Sequence, residues 1–315
     1  MIYILIVLNL LKSNLRLYLN CDIRHIRGEK TLKERIIVLA KTYPELSKKY
    51  GPIVCVAGVN EYGEWRRLYP IPYEIWINEK YKNIRFRKWD IIEVTIKKAT
   101  HDHRKESMRV QNWEQIRIIG HVEDWGIRKH IINELLDPNL ESIIDSGKSL
   151  GVIQPKKILD FYVKTRKRLD EAEKLVIQKM EEADSTLFKY SEPENLSEVR
   201  RTMVKIEELP WIGYRFYCKN PECKGHDMMV IDWEAQELFR KYKTKIDLVR
   251  KKLFTWMIRE RDLYFIVGNV WRFPKSFMII GLFYPPKKIK PQTPLFSSSF
   301  FMKRSKTLFD FNKRE

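Results

Sequence analysis

The spacing of hydrophobic residues changes character along the chain. Between residues 36 and 125 apolar positions come in short blocks closed by turn residues, the pattern of half-buried or fully buried strands. Pro52–Gly58 is a short buried-strand pattern, Asn60–Gly63 supplies turn chemistry, and Glu64–Tyr69 follows as a second strand. Trp89–Ile96 and Gln115–Val122 are two more, dominated by β-branched residues. Several short strands in so short a stretch predict a small barrel or a strongly bent sheet.

The period lengthens over residues 126–200. Ile158, Tyr162, Leu169, Val176 and Met180 share one helical stripe between Lys156 and Met180, which predicts a charged helical connector. Lys164, Arg166, Lys167 and Arg168 lie mostly off that stripe, as a solvated face or as one that tracks phosphates. Ser191–Asn195 breaks the pattern. Residues 201–286 then read strand, strand, helix, strand, strand. Tyr214–Tyr217 and Met228–Ile231 come first, and Asp232 opens a long helix. Leu238, Tyr242, Ile246, Val249, Leu253 and Met257 form its apolar stripe, and Lys241, Lys245 and Lys252 lie among the cations on the rest. Leu263–Val267 and Phe277–Phe283, joined by Asn269–Ser276, close the domain. The expected fold is α+β. It has an extension at 1–35, a barrel-like β-rich domain at 36–125, the connector at 126–200, a ββαββ-type domain at 201–286 and a disordered basic tail at 287–315.

Hydrophobic residues make up 44% of the 315 and aromatics 12%, enough for real cores, so a collagen-like or low-complexity chain is excluded. The 60 Lys and Arg against 41 Asp and Glu give a net charge of +19. Such an excess makes polyanions the natural partners, because Lys and Arg release counterions from phosphate backbones. The competing reading is the Lys- and Glu-rich composition of thermophile proteins. Ile2–Leu11 is apolar but shorter than a bilayer span, and it lacks the flanks of a signal peptide. The expectation is a cytoplasmic protein with no membrane span.

Candidate chemistry gathers at three places. Cys218, Cys223 and His226 occupy a loop between two predicted strands, and two thiols with an imidazole suit zinc as a knuckle. The fourth ligand would be Asp227, Asp232, water or a distant side chain. Buried thiols and a local disulfide are the other readings. His226, Asp232 and Glu234 together would suit a magnesium- or manganese-dependent catalytic site of the nuclease kind, although Asp232 and Glu234 also suit a helix N-terminus. Trp65, Arg66, Arg67 and Tyr69 interleave cations with rings, the composition of a stacking surface for single strands. In a strand, alternate members of that row would instead point into the core. His101–Ser107 concentrates two His, an Asp, an Arg and a Glu, as a metal, phosphate or acid/base cluster or as a solvated loop.

The last residues carry Leu308 and Phe311 three apart, able to share one face of a helical turn seated in a groove, with Lys303, Arg304, Lys306, Lys313 and Arg314 around them. Thr307-Leu308-Phe309-Asp310-Phe311 resembles the core of the PCNA-interacting peptide of archaeal replication and repair proteins. Ser305 stands where that family has Gln, and Asn312 where a second aromatic or Leu is common. The resemblance implies the PCNA sliding clamp as partner, bound by Thr307, Leu308, Phe309 and Phe311. The block from Gly213 to Pro286 also resembles a domain of functionally uncharacterised prokaryotic proteins, which brings no activity with it. Walker, dinucleotide-binding, His-Glu-x-x-His and nucleophile-elbow patterns are missing, which disfavours those enzyme classes. The expected function is a DNA-associated accessory factor recruited to the sliding clamp. The alternatives are a metal-dependent nuclease or repair enzyme, and an RNA-directed or defence-related binding protein.

Overall fold

The computed structural model describes residues 31–47, 50–164, 209–242 and 245–288. Most of the N-terminal extension, the helical stripe beyond Lys164 and the tail residues Thr307, Leu308, Phe309 and Phe311 lie outside the described residues.

Seven strands build the first half: β1 Thr31–Lys41, β2 Glu45–Ser47, β3 Gly51–Asn60, β4 Trp65–Pro72, β5 Asp90–Lys98, β6 Ser107–Val110 and β7 Arg117–His121. The ladder runs β1-β3-β4-β6-β5 and returns from β5 to β1, which closes a five-stranded barrel. Closure removes the exposed edges that an open sheet would leave. β2 pairs with β3 and β7 with β5, outside the ring. Ile36, Val38, Val54, Val56, Leu68, Ile92, Val94 and Ile96 fill the interior. Their neighbours Ile37, Leu39, Ala40 and Val59 point outward yet are equally buried. That second burial explains why β1 and β3 read as continuous apolar runs rather than alternations.

The outward face packs on a second, six-stranded sheet made of β8 Leu150–Ile153, β9 Lys157–Lys164, β10 Trp211–Tyr217, β11 His226–Val230, β12 Tyr264–Val270 and β13 Phe273–Phe283. Its order is β8-β12-β13-β11-β10-β9. β8 and β9 therefore occupy opposite edges, although only residues 154–156 separate them. A flat sheet of this size is roughly 24 Å across and such a link reaches at most roughly 14 Å, so the sheet must curl strongly. Phe161, Tyr214, Phe216 and Phe265 line the inside of the curl. A bulge between Ile266 and Val267 lets Ile280 and Phe283 of β13 both face the barrel.

Among the described residues helices are few and short. α1 Glu74–Ile77 follows β4, and α2 Trp125–Glu134 and α3 Leu140–Asp145 lead into β8. α4 Trp233–Lys241, α5 Ile246–Arg250, a π-helical stretch Lys251–Trp256 and α6 Met257–Glu260 follow β11. The strand, strand, helix, strand, strand order over 211–283 is as the periodicity predicts, and the molecule is mixed α+β and strand-rich. Two elements differ from expectation. The helix read from Lys156 begins as β9, because Ile158 and Tyr162 sit on a ladder with β10. The long helix from Asp232 ends at Lys241 and a second one starts at Ile246, a member of the apolar stripe that is 46% exposed. Among the described residues no helix is long and apolar enough to cross a membrane.

Candidate functional site

β10 ends at Tyr217, and the chain turns through Cys218–Gly225 before β11 starts at His226. Gly225 adopts φ +98°, a conformation that side chains rarely take, and this turns the chain back between Cys223 and His226. The turn brings the Cys218 Sγ, Cys223 Sγ and one ring nitrogen of His226 within 4.8 Å of one another. Cys223 Sγ lies 3.3 Å from His226 Nε2, and the Cys218 and Gly225 amides donate to the same sulfur at 3.4 Å each. Such amides stabilise a thiolate. Burial pushes the Cys218 thiol up and pulls the His226 imidazole down, so the imidazole keeps the neutral form that ligates metals. Both cysteines are free thiols, and with His226 they can hold a metal ion.

Asp232 and Glu234 do not join this group. Asp232 lies past the far end of β11, roughly 20 Å of extended chain from His226. It is 1% exposed and fully engaged. Its carboxylate caps α4 at the Ala235 amide (3.0 Å), accepts from the Leu282 amide (2.9 Å) and pairs with Lys88 Nζ (2.9 Å). Glu234 takes the other side of Lys88 at 2.8 Å. Burial works against the Lys88 ammonium, but the two carboxylates hold its pKa above the ordinary lysine value. Asp232 is thus a buried joint between barrel and sheet, and the expected magnesium or manganese site of His226, Asp232 and Glu234 loses its geometry. Lys88 was invisible to the sequence reading because its partner Asp232 is 144 residues away.

The expected stacking row on β4 is also corrected. Trp65 is buried in the core between barrel and sheet. Arg67 is 3% exposed; its Nη2 donates to Ser149 O at 2.8 Å and to Ser149 Oγ at 3.2 Å. Arg66 is clasped by Glu34 at 2.7 Å and Glu64 at 2.6 Å, and Tyr69 is half-buried, with burial pushing its phenol up to about 12. The alternation of a strand sends Trp65 and Arg67 out of the barrel beside their partners Val59 and Ala57, and the curled sheet then covers them. Lys241, Lys245 and Lys252 remain exposed on the helical layer, with Lys252 Nζ 3.6 Å from the Trp256 ring centre.

A different surface meets the requirement for rings and cations together. The β12–β13 hairpin tip exposes Trp271 (48%), Arg272, Phe273 (63%) and Lys275. Asn269 shapes the tip by donating from Nδ2 to Pro274 O at 3.1 Å. The β5–β6 loop, His101–Ser107, lies beside it. Arg104 Nη1 donates to Asn269 O at 3.2 Å, and the His103 and Trp271 ring centres are 6.4 Å apart. The acids of this loop face inward. Asp102 binds Arg104 (2.6 Å) and Ser107 Oγ (2.7 Å), which hold its carboxyl down to about 2 against the opposing effect of burial. Glu106 is buried on the Ser149 amide and hydroxyl at 3.0 and 2.9 Å. His101, His103 and Lys105 are left facing solvent. The tip escaped the sequence reading as a simple connector; two aromatics in a five-residue basic turn were its signal.

Residues 32–134 match the family model described as Domain of unknown function (DUF8758), and residues 139–302 match the one described as Domain of unknown function (DUF8757). No curated protein matches the chain.

Proposed function

The chain belongs to the family described as Domain of unknown function (DUF8757), and from the chemistry of its own surface we propose that it is a DNA-associated accessory factor recruited to a sliding clamp. One observation carries the nucleic-acid half of this reading: the joined hairpin tip and β5–β6 loop present Trp271 and Phe273 among Arg272, Lys275, Lys105, His101 and His103 while their acids are hydrogen-bonded within the protein. Exposed rings supply stacking platforms that tolerate any base, and the cations follow the phosphates. The net charge of +19 favours the same ligand. The tail Thr307-Leu308-Phe309-Asp310-Phe311 supports recruitment to the clamp, where tethering would raise the local concentration of the body on DNA. The Cys218, Cys223 and His226 group is assigned to zinc, since two thiolates and an imidazole are the soft donors that zinc takes.

Fluorescence anisotropy with labelled single-stranded DNA, duplex DNA and RNA tests the surface. Trp271→Ala with Phe273→Ala should weaken single-strand binding by about tenfold or more, whereas Lys252→Ala should change it little. Unchanged affinity in the double variant would refute the surface. Clamp pull-down with and without residues 303–315 tests the tail; loss of capture on deletion, and on Leu308→Ala with Phe311→Ala, is the expected outcome.

A further inference from the structure

The knuckle supplies three ligands from nine residues, and a structural zinc site takes four. Glu222, on the loop between the two cysteines, is exposed and lies outside the Cys218, Cys223 and His226 group, and the next two acids along the chain are committed elsewhere. Asp227 alternates to the opposite face from His226, where Arg215 Nε meets it at 3.2 Å and Lys164 Nζ at 3.9 Å. Asp232 is the buried partner of Lys88.

We propose that Glu141, on α3, is the fourth zinc ligand, so that the site is Cys218, Cys223, His226 and Glu141 and has no open position. The inference rests on the zinc reading given above. Glu141 Oε2 lies 3.9 Å from Cys218 Sγ. Tetrahedral bonds of about 2.3 Å to sulfur and about 2.0 Å to nitrogen or oxygen place neighbouring donors roughly 3.3–3.8 Å apart. The 3.3 Å between Cys223 and His226 and the 3.9 Å between Cys218 and Glu141 are thus near the separations an ion would require, and a rotation of the Glu141 side chain would bring its carboxylate, now outside the 4.8 Å group, toward the other two donors. α3 holds the carboxylate there for independent reasons: Asn139 Oδ1 caps the helix at the Ser142 amide (2.8 Å), and Leu140 and Ile143 are buried in the core of the curled sheet. Binding would release two thiol protons and tie α3 to a loop 77 residues further along. A site closed by four protein ligands is structural and holds no activated water.

The full chain, stripped with a chelator under reducing conditions, is titrated with zinc and with cobalt(II). The parent should bind one ion and give the intense visible bands of a tetrahedral cobalt site with two thiolates. Glu141→Gln, which keeps the side-chain shape, and Glu141→Ala should bind zinc at least about tenfold more weakly and shift the cobalt bands, while Asp227→Ala matches the parent. Glu141→His, which restores a donor, should recover affinity with a third spectrum. If both Glu141→Gln and Glu141→Ala bind and absorb as the parent does, the fourth ligand is not Glu141 and the inference is overturned. If Asp227→Ala carries the loss instead, it is overturned as well. A parent that binds neither metal refutes the zinc reading itself, a result distinguishable because it precedes any substitution.

Discussion

Two buried lysines show how single residues set the joint between the halves. Lys88 places its ammonium between Asp232 and Glu234 with Leu282 O at 3.3 Å. Asp232→Ala removes one of the two carboxylates on that charge, the cap of α4 and the acceptor of the Leu282 amide together. It should cost about 3 kcal/mol or more in urea unfolding. Glu234→Ala, at a half-exposed position, should cost less than about 1 kcal/mol; equal losses would show that Asp232 is no special joint. Lys41 lies between the Trp76 and Trp233 rings at 4.6 and 4.1 Å. Burial pulls its pKa to about 8, against the raising influence of Glu234, Asp232 and Asp90. The unfolded chain keeps that proton up to 10.5, so above about pH 8 the unfolded state binds more protons and stability rises with pH. Lys41→Met should flatten this rise and stabilise the protein at pH 7, by at most on the order of 3 kcal/mol, offset by the lost contact with the rings. Urea midpoints at about pH 7 and about pH 9.5, below the ordinary tyrosine range, measure both effects.

At the scale of elements, the π-helical stretch Lys251–Trp256 replaces the regular helix that the stripe from Leu238 to Met257 predicts. The Tyr214 hydroxyl donates to the Leu253 carbonyl within this stretch, and burial keeps the phenol protonated far above its usual range. Tyr214→Phe should therefore strand a buried carbonyl and cost about 1–3 kcal/mol by thermal or urea unfolding; a neutral outcome would mean that water reaches Leu253. Strand positions were legible because β-branched blocks and turn residues alternate in 36–125. The strand β9 was not, since Ile158 and Tyr162 suit either period and their partner β10 begins at Trp211. Cys218, Cys223 and His226 were legible as a group because they are close in sequence. Glu141 and Lys88 were not, because tertiary packing alone brings them to their partners. The row from Trp65 to Tyr69 misled, since rings and cations on a strand look the same whether covered or exposed.

Across the whole molecule, barrel and curled sheet share one core, so they stand or fall together. Gly281 lets β13 approach β1 so closely that an added Cβ would lie 2.8 Å from Ala40, and the Tyr43 amide reaches Ile231 O at 2.7 Å. The junction of β9 and β10 has a different geometry. Lys164 and Trp211 are directly paired on the ladder, so the two ends of this connection lie side by side. Replacing residues 165–208 with a short glycine-containing turn should leave the thermal midpoint within a few degrees of the parent, about 1 kcal/mol or less; a collapse of the transition would show that the body leans on what was cut. A junction whose two ends already touch asks nothing of its insert but that its own ends lie close together, so a segment of that kind can be exchanged there without pulling the two strands apart.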